Sequence, residues 1–386
     1  MVNKSWPLLL IFLLSSCSGS VDTSLKQANY QTIFSALLQE CLDDSFESVP
    51  GVTMTIKSPL LEKTWSGGAG FSEQERNIPT KPSHPFRIAS VTKTFVAAAI
   101  LRLHEKDSLS IDDPIELHIG EPYNSILKSD GYRTDEILIK HLLNHTSGLH
   151  DYAQGSQEYL KEMIKDPKRR WSRIDQLKGA MQWGDKLGEA GEKTSYCDTG
   201  YILLGLIIEN FYNGDLAKGL RQLLKFDALG LDDTWLETME AHPNEGQFMV
   251  HRYHGKYETT DWDASIDLYG GGGLASTTGD LAEFFYALFN NKIYDKPQTI
   301  DLMRSVPDFI SMEDSNDKNK IAYYNYGFWT VNAFGEEVHM HTGFWCTTMI
   351  YVPAYQASIS VNATRGTTDR LLKKILLVMK QLKENQ

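Results

Sequence analysis

Ser90-Val91-Thr92-Lys93 stands at the head of Thr94-Phe95-Val96-Ala97-Ala98-Ala99-Ile100-Leu101-Arg102-Leu103. The run from Thr94 is rich in helix formers and apolar almost all round, so it predicts a central, buried helix. Just upstream, Lys81-Pro82-Ser83-His84-Pro85 cannot stay helical, because each proline disfavours helix in the residue before it. Ser90 is therefore expected at the helix N-terminus, where free N–H groups and the positive dipole end favour developing negative charge. Lys93, three residues on, shares its face. A lysine this close to the start of a buried helix must be paired or take part in chemistry. A serine beside it is a nucleophile with a candidate base.

The chain has 386 residues, 41% hydrophobic and 23% charged, which is enough to fold around a large core. The net charge is -12, and the only short basic run is Lys165-Asp166-Pro167-Lys168-Arg169-Arg170. That balance argues against a nucleic-acid partner. Residues 1–16 read as an export signal of the lipoprotein type, with Lys4 ahead of a short apolar segment. They run into Leu14-Ser15-Ser16-Cys17, which places lipidation on Cys17 and a tether over 17–24. The expected location is the bacterial envelope, lipid-anchored, in the outer membrane and facing the periplasm if the cell is Gram-negative. Cys41, Cys197 and Cys346 form neither a disulfide framework nor a metal pattern.

Alternating apolar segments predict strands over 52–56 and 61–65 near the start. Four more are expected over 326–331, 338–342, 347–352 and 358–363. Helical periodicity marks 25–42, 135–143, 157–164, 199–212, 215–226, 281–289 and 368–383. Strands from both ends with helices between them imply a mixed α/β (α+β) fold. Residues 25–110 and 265–386 would form one domain around a mainly antiparallel sheet, with a mainly helical insertion over 111–264. Gly270-Gly271-Gly272-Gly273 lacks the Lys-Ser/Thr of a phosphate loop and reads as a tight turn. Thr277-Thr278-Gly279-Asp280 is a helix-capping signal.

Three more segments supply what Ser90 and Lys93 need. Ser195-Tyr196-Cys197-Asp198 lies in a loop before an apolar helix, His341-Thr342-Gly343 ends a strand ahead of Phe344, and His145-Thr146-Ser147-Gly148 follows an amphipathic helix. In this order and spacing the chain resembles the serine β-lactamase-like family: class C β-lactamases, D-alanyl-D-alanine carboxypeptidases and related esterases. Phe86-Arg87-Ile88-Ala89-Ser90-Val91-Thr92-Lys93 is similar to its nucleophile motif, Tyr196-Cys197-Asp198 to its Tyr-x-Asn motif and His341-Thr342-Gly343 to its Lys/His-Thr-Gly motif.

The resemblance implies an acyl-serine hydrolase with Ser90 as nucleophile and either Lys93 or Tyr196 as base. The oxyanion would be held by the N–H groups of Ser90 and Phe344. The substrate would be a small molecule or a peptidoglycan peptide, with no cofactor and no metal. A D-Ala-D-Ala carboxypeptidase or an esterase is the leading expectation, with weak β-lactamase activity beside it. A catalytically weak envelope lipoprotein that binds such substrates is the alternative. Asp198 replaces the usual asparagine, exchanging a donor amide for an acceptor, and is expected to favour the ammonium form of Lys93 if the two meet. His341 replaces a lysine, so a fixed cation for a substrate carboxylate is lost or made pH-dependent. The His141/His145 pair has zinc-like spacing but no third ligand.

Overall fold

The computed structural model describes residues 30–43, 49–73, 75–243, 248–255, 257–306, 322–333 and 335–385. The export signal, Cys17 and the tether lie outside the described residues.

The described residues begin with helix α1 (Tyr30–Asp43), then strands β1 (Gly51–Lys57), β2 (Trp65–Glu73), β3 (Ile78–Pro79) and β4 (Phe86–Arg87). Helix α2 (Thr92–Glu105) follows. Between 111 and 264 come several helices, among them α3 (Asp198–Phe211), and the two-residue strands β5 (Trp235–Leu236), β6 (Tyr253–His254) and β7 (Tyr257–Glu258). Strand β8 (Leu274–Ser276) leads into helix α4 (Thr278–Phe289). The chain closes with β9 (Ala322–Tyr324), β10 (Trp329–Ala333), β11 (Glu336–Gly343), β12 (Thr347–Val352), β13 (Ala357–Ala363) and helix α5 (Asp369–Glu384).

Eight strands form one sheet in the order β3-β2-β1-β13-β12-β11-β10-β9, every pair antiparallel. The two ends of the chain meet at β1 and β13, with Val52 opposite Ala363. This is the mixed α/β architecture the strand pattern implies. One face of the sheet is covered by α1 and α5, whose Phe34, Leu38, Ile375 and Met379 pack on Val52, Met54 and Ile56. The other face meets α4, where Thr55 hydrogen-bonds Thr278 (3.0 Å). Beyond it lies a second core in which Phe95 of α2 stacks on Phe284 of α4 at 3.6 Å. Every residue of α2 except His104 is buried, so α2 is an interior rod that fixes what its first turn presents.

Some local expectations needed correction. Residues 61–64 form a turn, and the second strand starts at Trp65 and runs through Gly67-Gly68-Ala69-Gly70. A Cβ on Gly67 would press on the Trp65 ring (2.7 Å) and one on Gly68 on the Thr80 carbonyl (2.9 Å). Close packing is what selects them. The helix expected over 135–143 is only Ile139–Leu143, and the strand expected from 326 starts at Trp329, because Asn325 and Phe328 close a turn (2.9 Å). The capping signal at Thr277 operates, its hydroxyl accepting from the Asp280 N–H (3.2 Å).

Candidate active site

Ser90 sits in the 3-10 turn Ala89–Val91 that feeds α2. Ala89 holds φ +46, a left-handed conformation costly to a residue with a Cβ, and this bend sets the half-buried Ser90 at the cleft. Nothing about an alanine flags such a bend in a sequence. The end of β11 packs directly on this turn. A Cβ on Gly343 would overlap the Ile88 carbonyl oxygen, so Gly343 accommodates the turn that carries Ser90. The contact brings the backbone of Gly343 and Phe344 beside Ser90.

Lys93 is completely buried and gives out all three of its protons. It donates to Ser90 Oγ (3.0 Å), to the Gly271 carbonyl (2.6 Å) and to Asp198 Oδ1. Burial is the largest single influence on this amine and works against its charge. The charge on Asp198 leads the influences that oppose burial, and the pKa is raised. Lys93 is a fixed cation, as the Asp198 substitution implied. Tyr196 is half-buried, its ring 5.0 Å from Lys93 Nζ. Burial raises the phenol's pKa, with Asp198 adding to that rise, while Lys93 and hydrogen bonding to Lys93 and Ser90 pull it down only in part. The phenol is therefore neutral at rest.

His145 holds the Tyr196 loop in place. Its carbonyl accepts the Ser195 N–H (2.8 Å), its Nδ1 accepts the Cys197 N–H (3.1 Å), and its ring lies 4.3 Å from that of Tyr196. His141 does separate work, its Nδ1 accepting the Leu138 N–H at a helix start (3.1 Å). Asp151 is a residue that sequence reasoning missed. It accepts the backbone N–H of Asp198 (3.0 Å), so it seats the residue that seats Lys93. Burial, and then Asp198, push its pKa up to about 7.

His341 cannot serve as a cation. Its Nε2 meets the Tyr324 hydroxyl (3.0 Å) and its Nδ1 the Thr342 carbonyl (2.8 Å), so Nδ1 carries the proton and Nε2 accepts. Burial, helped by Lys93, pushes its pKa down to about 3. Of the neighbouring aromatics, Tyr324 and Phe328 are core residues. Thr342 is half-buried at the cleft, opposite Thr348 in the ladder. Phe344 is 48% exposed and stacks on His254 of the β6–β7 hairpin at 4.8 Å. Ser90, Lys93, Tyr196 and Asp198 thus share one cluster, with Gly343 at its edge and His341 behind it. Among the described residues no group of three His, Cys, Asp or Glu side chains is arranged to hold a metal.

Residues 61–381 match the family model described as Beta-lactamase. The chain belongs to the beta-lactamase family. It is 27% identical over 243 residues to penicillin-binding protein 4* of Bacillus subtilis, covering 59% of this chain and 50% of that protein. It is 23% identical over 352 residues to the mitochondrial serine beta-lactamase-like protein LACTB of Homo sapiens, covering 71% and 62%. The chain thus spans about half to three-fifths of the length of these two relatives. Among solved structures, D-amino acid amidase from Ochrobactrum anthropi SV3 shares the fold with a TM-score of 0.74 at 22% identity, covering 92% of this chain and 99% of that one.

Proposed function

We propose that this chain is a serine hydrolase that cleaves an amide or ester through an acyl-Ser90 intermediate. The observation that carries the reading is Lys93, fully buried yet donating at once to Ser90, Asp198 and Gly271. A lysine that donates to the nucleophile and is held charged acts as a cation, so the proton traffic falls to Tyr196. Ser90 Oγ bonds the carbonyl carbon as the C=O pair moves onto oxygen, and the hydroxyl proton passes to the Tyr196 oxygen. In the same concerted step Tyr196 gives its own proton to the nitrogen or oxygen that will depart, so neither a phenolate nor a protonated phenol forms, and the oxyanion pair returns to re-form C=O as that bond breaks. Water then attacks the acyl-serine through the same relay in reverse. The N–H groups of Ser90 and Phe344 are the candidate oxyanion donors.

The neutral His341 favours an esterase or amidase over a β-lactamase, since both penicillins and D-Ala-D-Ala peptides carry a carboxylate. A carboxypeptidase reading keeps one support. Arg365 lies over the Tyr253 ring (4.5 Å), next to the His254 that stacks on Phe344, and could meet such a carboxylate at the rim. Short-chain esters, D-Ala-D-Ala peptides and a penicillin, each assayed with wild type and Ser90→Ala, test the reading. Turnover that vanishes in the variant supports it, and turnover that survives refutes it. Binding without turnover of any of them would favour the alternative of a binding lipoprotein.

We further propose that the chain is lipid-anchored through Cys17 in the bacterial envelope. Radiolabelled palmitate should mark wild type and not Cys17→Ala.

A further inference from the structure

One carboxylate beside the nucleophile is left over once the ion pairs are matched. Asp267 ends the 3-10 turn Ala264–Asp267, just before the glycine run. Its carboxyl group fills the space that a side chain on Gly272 would need. Gly272 is the next residue after Gly271, whose carbonyl holds Lys93 (2.6 Å), and Lys93 in turn holds Ser90 (3.0 Å). Asp267 therefore lies on the glycine side of the cleft, across Ser90 from β11.

Two cations share its surroundings, Lys93 and Arg87. Lys93 is paired with Asp198, and Arg87 with Glu237 (2.6 Å). Asp151, the third acid of the region, has its oxygens occupied by the N–H groups of Ala153 (3.2 Å), Gln154 (3.0 Å) and Asp198 (3.0 Å). Asp267 has no such cover. It faces Lys93 and Arg87 only at electrostatic range, with no hydrogen-bond donor to its carboxylate among the described residues, and it is half-buried against Gly272. Burial and Asp198 push its pKa up to about 7 against the pull of Lys93. A carboxylate drawn out of water without a donor is unfavourable, and a ligand that brings both charge and N–H groups relieves it.

We infer that Asp267 is a specificity-determining residue that receives a protonated amine next to the scissile carbonyl. The preferred substrates are then amides or esters of amino acids whose α-amino group is free. The inference rests on the acyl-serine reading above and narrows its substrate class. An ammonium supplies three donors and a charge, and a hydrogen bond between charged partners discriminates by roughly tenfold to a hundredfold. An N-acetylated analogue has the same scissile bond and loses both.

The test uses alanine benzyl ester, in both enantiomers, beside its N-acetyl derivative, with benzyl alcohol release followed by chromatography. p-Nitrophenyl butyrate, a neutral ester, reports the competent site. The wild type should favour the free amine in kcat/KM by at least about tenfold for one enantiomer. In Asp267→Asn that ratio should fall by at least tenfold, and because it is a ratio on one preparation a folding defect cancels from it. Asp267→Glu, which keeps the charge, should retain the preference for the free amine. An unchanged ratio in Asp267→Asn, or a wild type that shows no preference, overturns the inference. Ser90-dependent butyrate hydrolysis without amine preference overturns it alone. Failure to cleave any of these esters, with no adduct on Ser90, overturns the acyl-serine reading as well.

Discussion

Lys93 and Asp198 form a buried ion pair directly beneath the nucleophile, and the two side chains are almost fully closed to solvent. The sequence alone left Lys93 and Tyr196 as alternative bases. This pair separates them, since an ammonium that already donates to Ser90 cannot also take its proton.

Replacing Asp198 with asparagine removes the charge that holds Lys93 protonated. Burial then dominates, and the amine's pKa falls. Acylation of Asp198→Asn by a fluorescent penicillin should become faster than wild type and should rise with pH between about 7 and 10, as neutral Lys93 appears. Wild type should stay level over that interval. Stopped-flow labelling at several pH values checks this, and superimposable profiles would count against the pair.

Tyr196→Phe keeps the ring packed on His145 (4.3 Å) and deletes only the proton carrier. General acid–base groups contribute roughly 10²–10⁴ in rate, so kcat on a p-nitrophenyl ester should drop by about that factor. KM should change little. A variant with near-normal kcat would return the base role to another group.

His341 carries a prediction about acid stability. Its folded pKa is pushed down to about 3, below the ordinary 6.5, so the unfolded chain binds the proton more tightly. That contribution is fully present above pH 6.5 and is lost as pH falls towards 3, at about 1.4 kcal/mol per pH unit per histidine. His339, also pushed down to about 3 by burial, acts in the same direction. Asp151 and Asp267, raised to about 7, oppose it as pH drops from 7 to 4, so the difference between proteins is the clean measure. Urea unfolding between pH 6.5 and 4.5 should show a shallower decline for His341→Gln than for wild type. Parallel declines would show that His341 is not buried neutral.

Gly343→Ala places a methyl group against the Ile88 carbonyl and must push β11 away from the Ser90 turn. Overpacking of this kind costs about 1–3 kcal/mol. The same displacement moves the Phe344 N–H, so kcat/KM on any ester should fall by roughly tenfold or more. Thermal melts beside kinetics separate the two effects. An alanine variant with wild-type kinetics would detach this contact from catalysis.

Much of the architecture is written in short-range pattern. The apolar run of α2 places that helix within two residues of where it falls, and the patterns of β12 and β13 place those strands within one. β2 was largely missed, since its glycines are chosen by packing against the Trp65 ring and the Thr80 backbone, contacts that only the fold creates. At the site, residue types and order were enough to gather Ser90, Lys93, Tyr196 and Asp198. Asp151 and Asp267 were not legible, since isolated aspartates in polar loops carry no periodicity and acquire meaning only through their neighbours in the fold. The neutral state of His341 likewise depends on Tyr324, seventeen positions away on a neighbouring stretch of the sheet.

The central claim is that Ser90 is acylated. Wild type mixed with p-nitrophenyl butyrate or a penicillin, quenched in acid within seconds and digested, should yield one acylated peptide containing residue 90 by mass spectrometry. Ser90→Ala should yield none. An acyl group on any other residue, or hydrolysis by Ser90→Ala at the wild-type rate, would contradict the account.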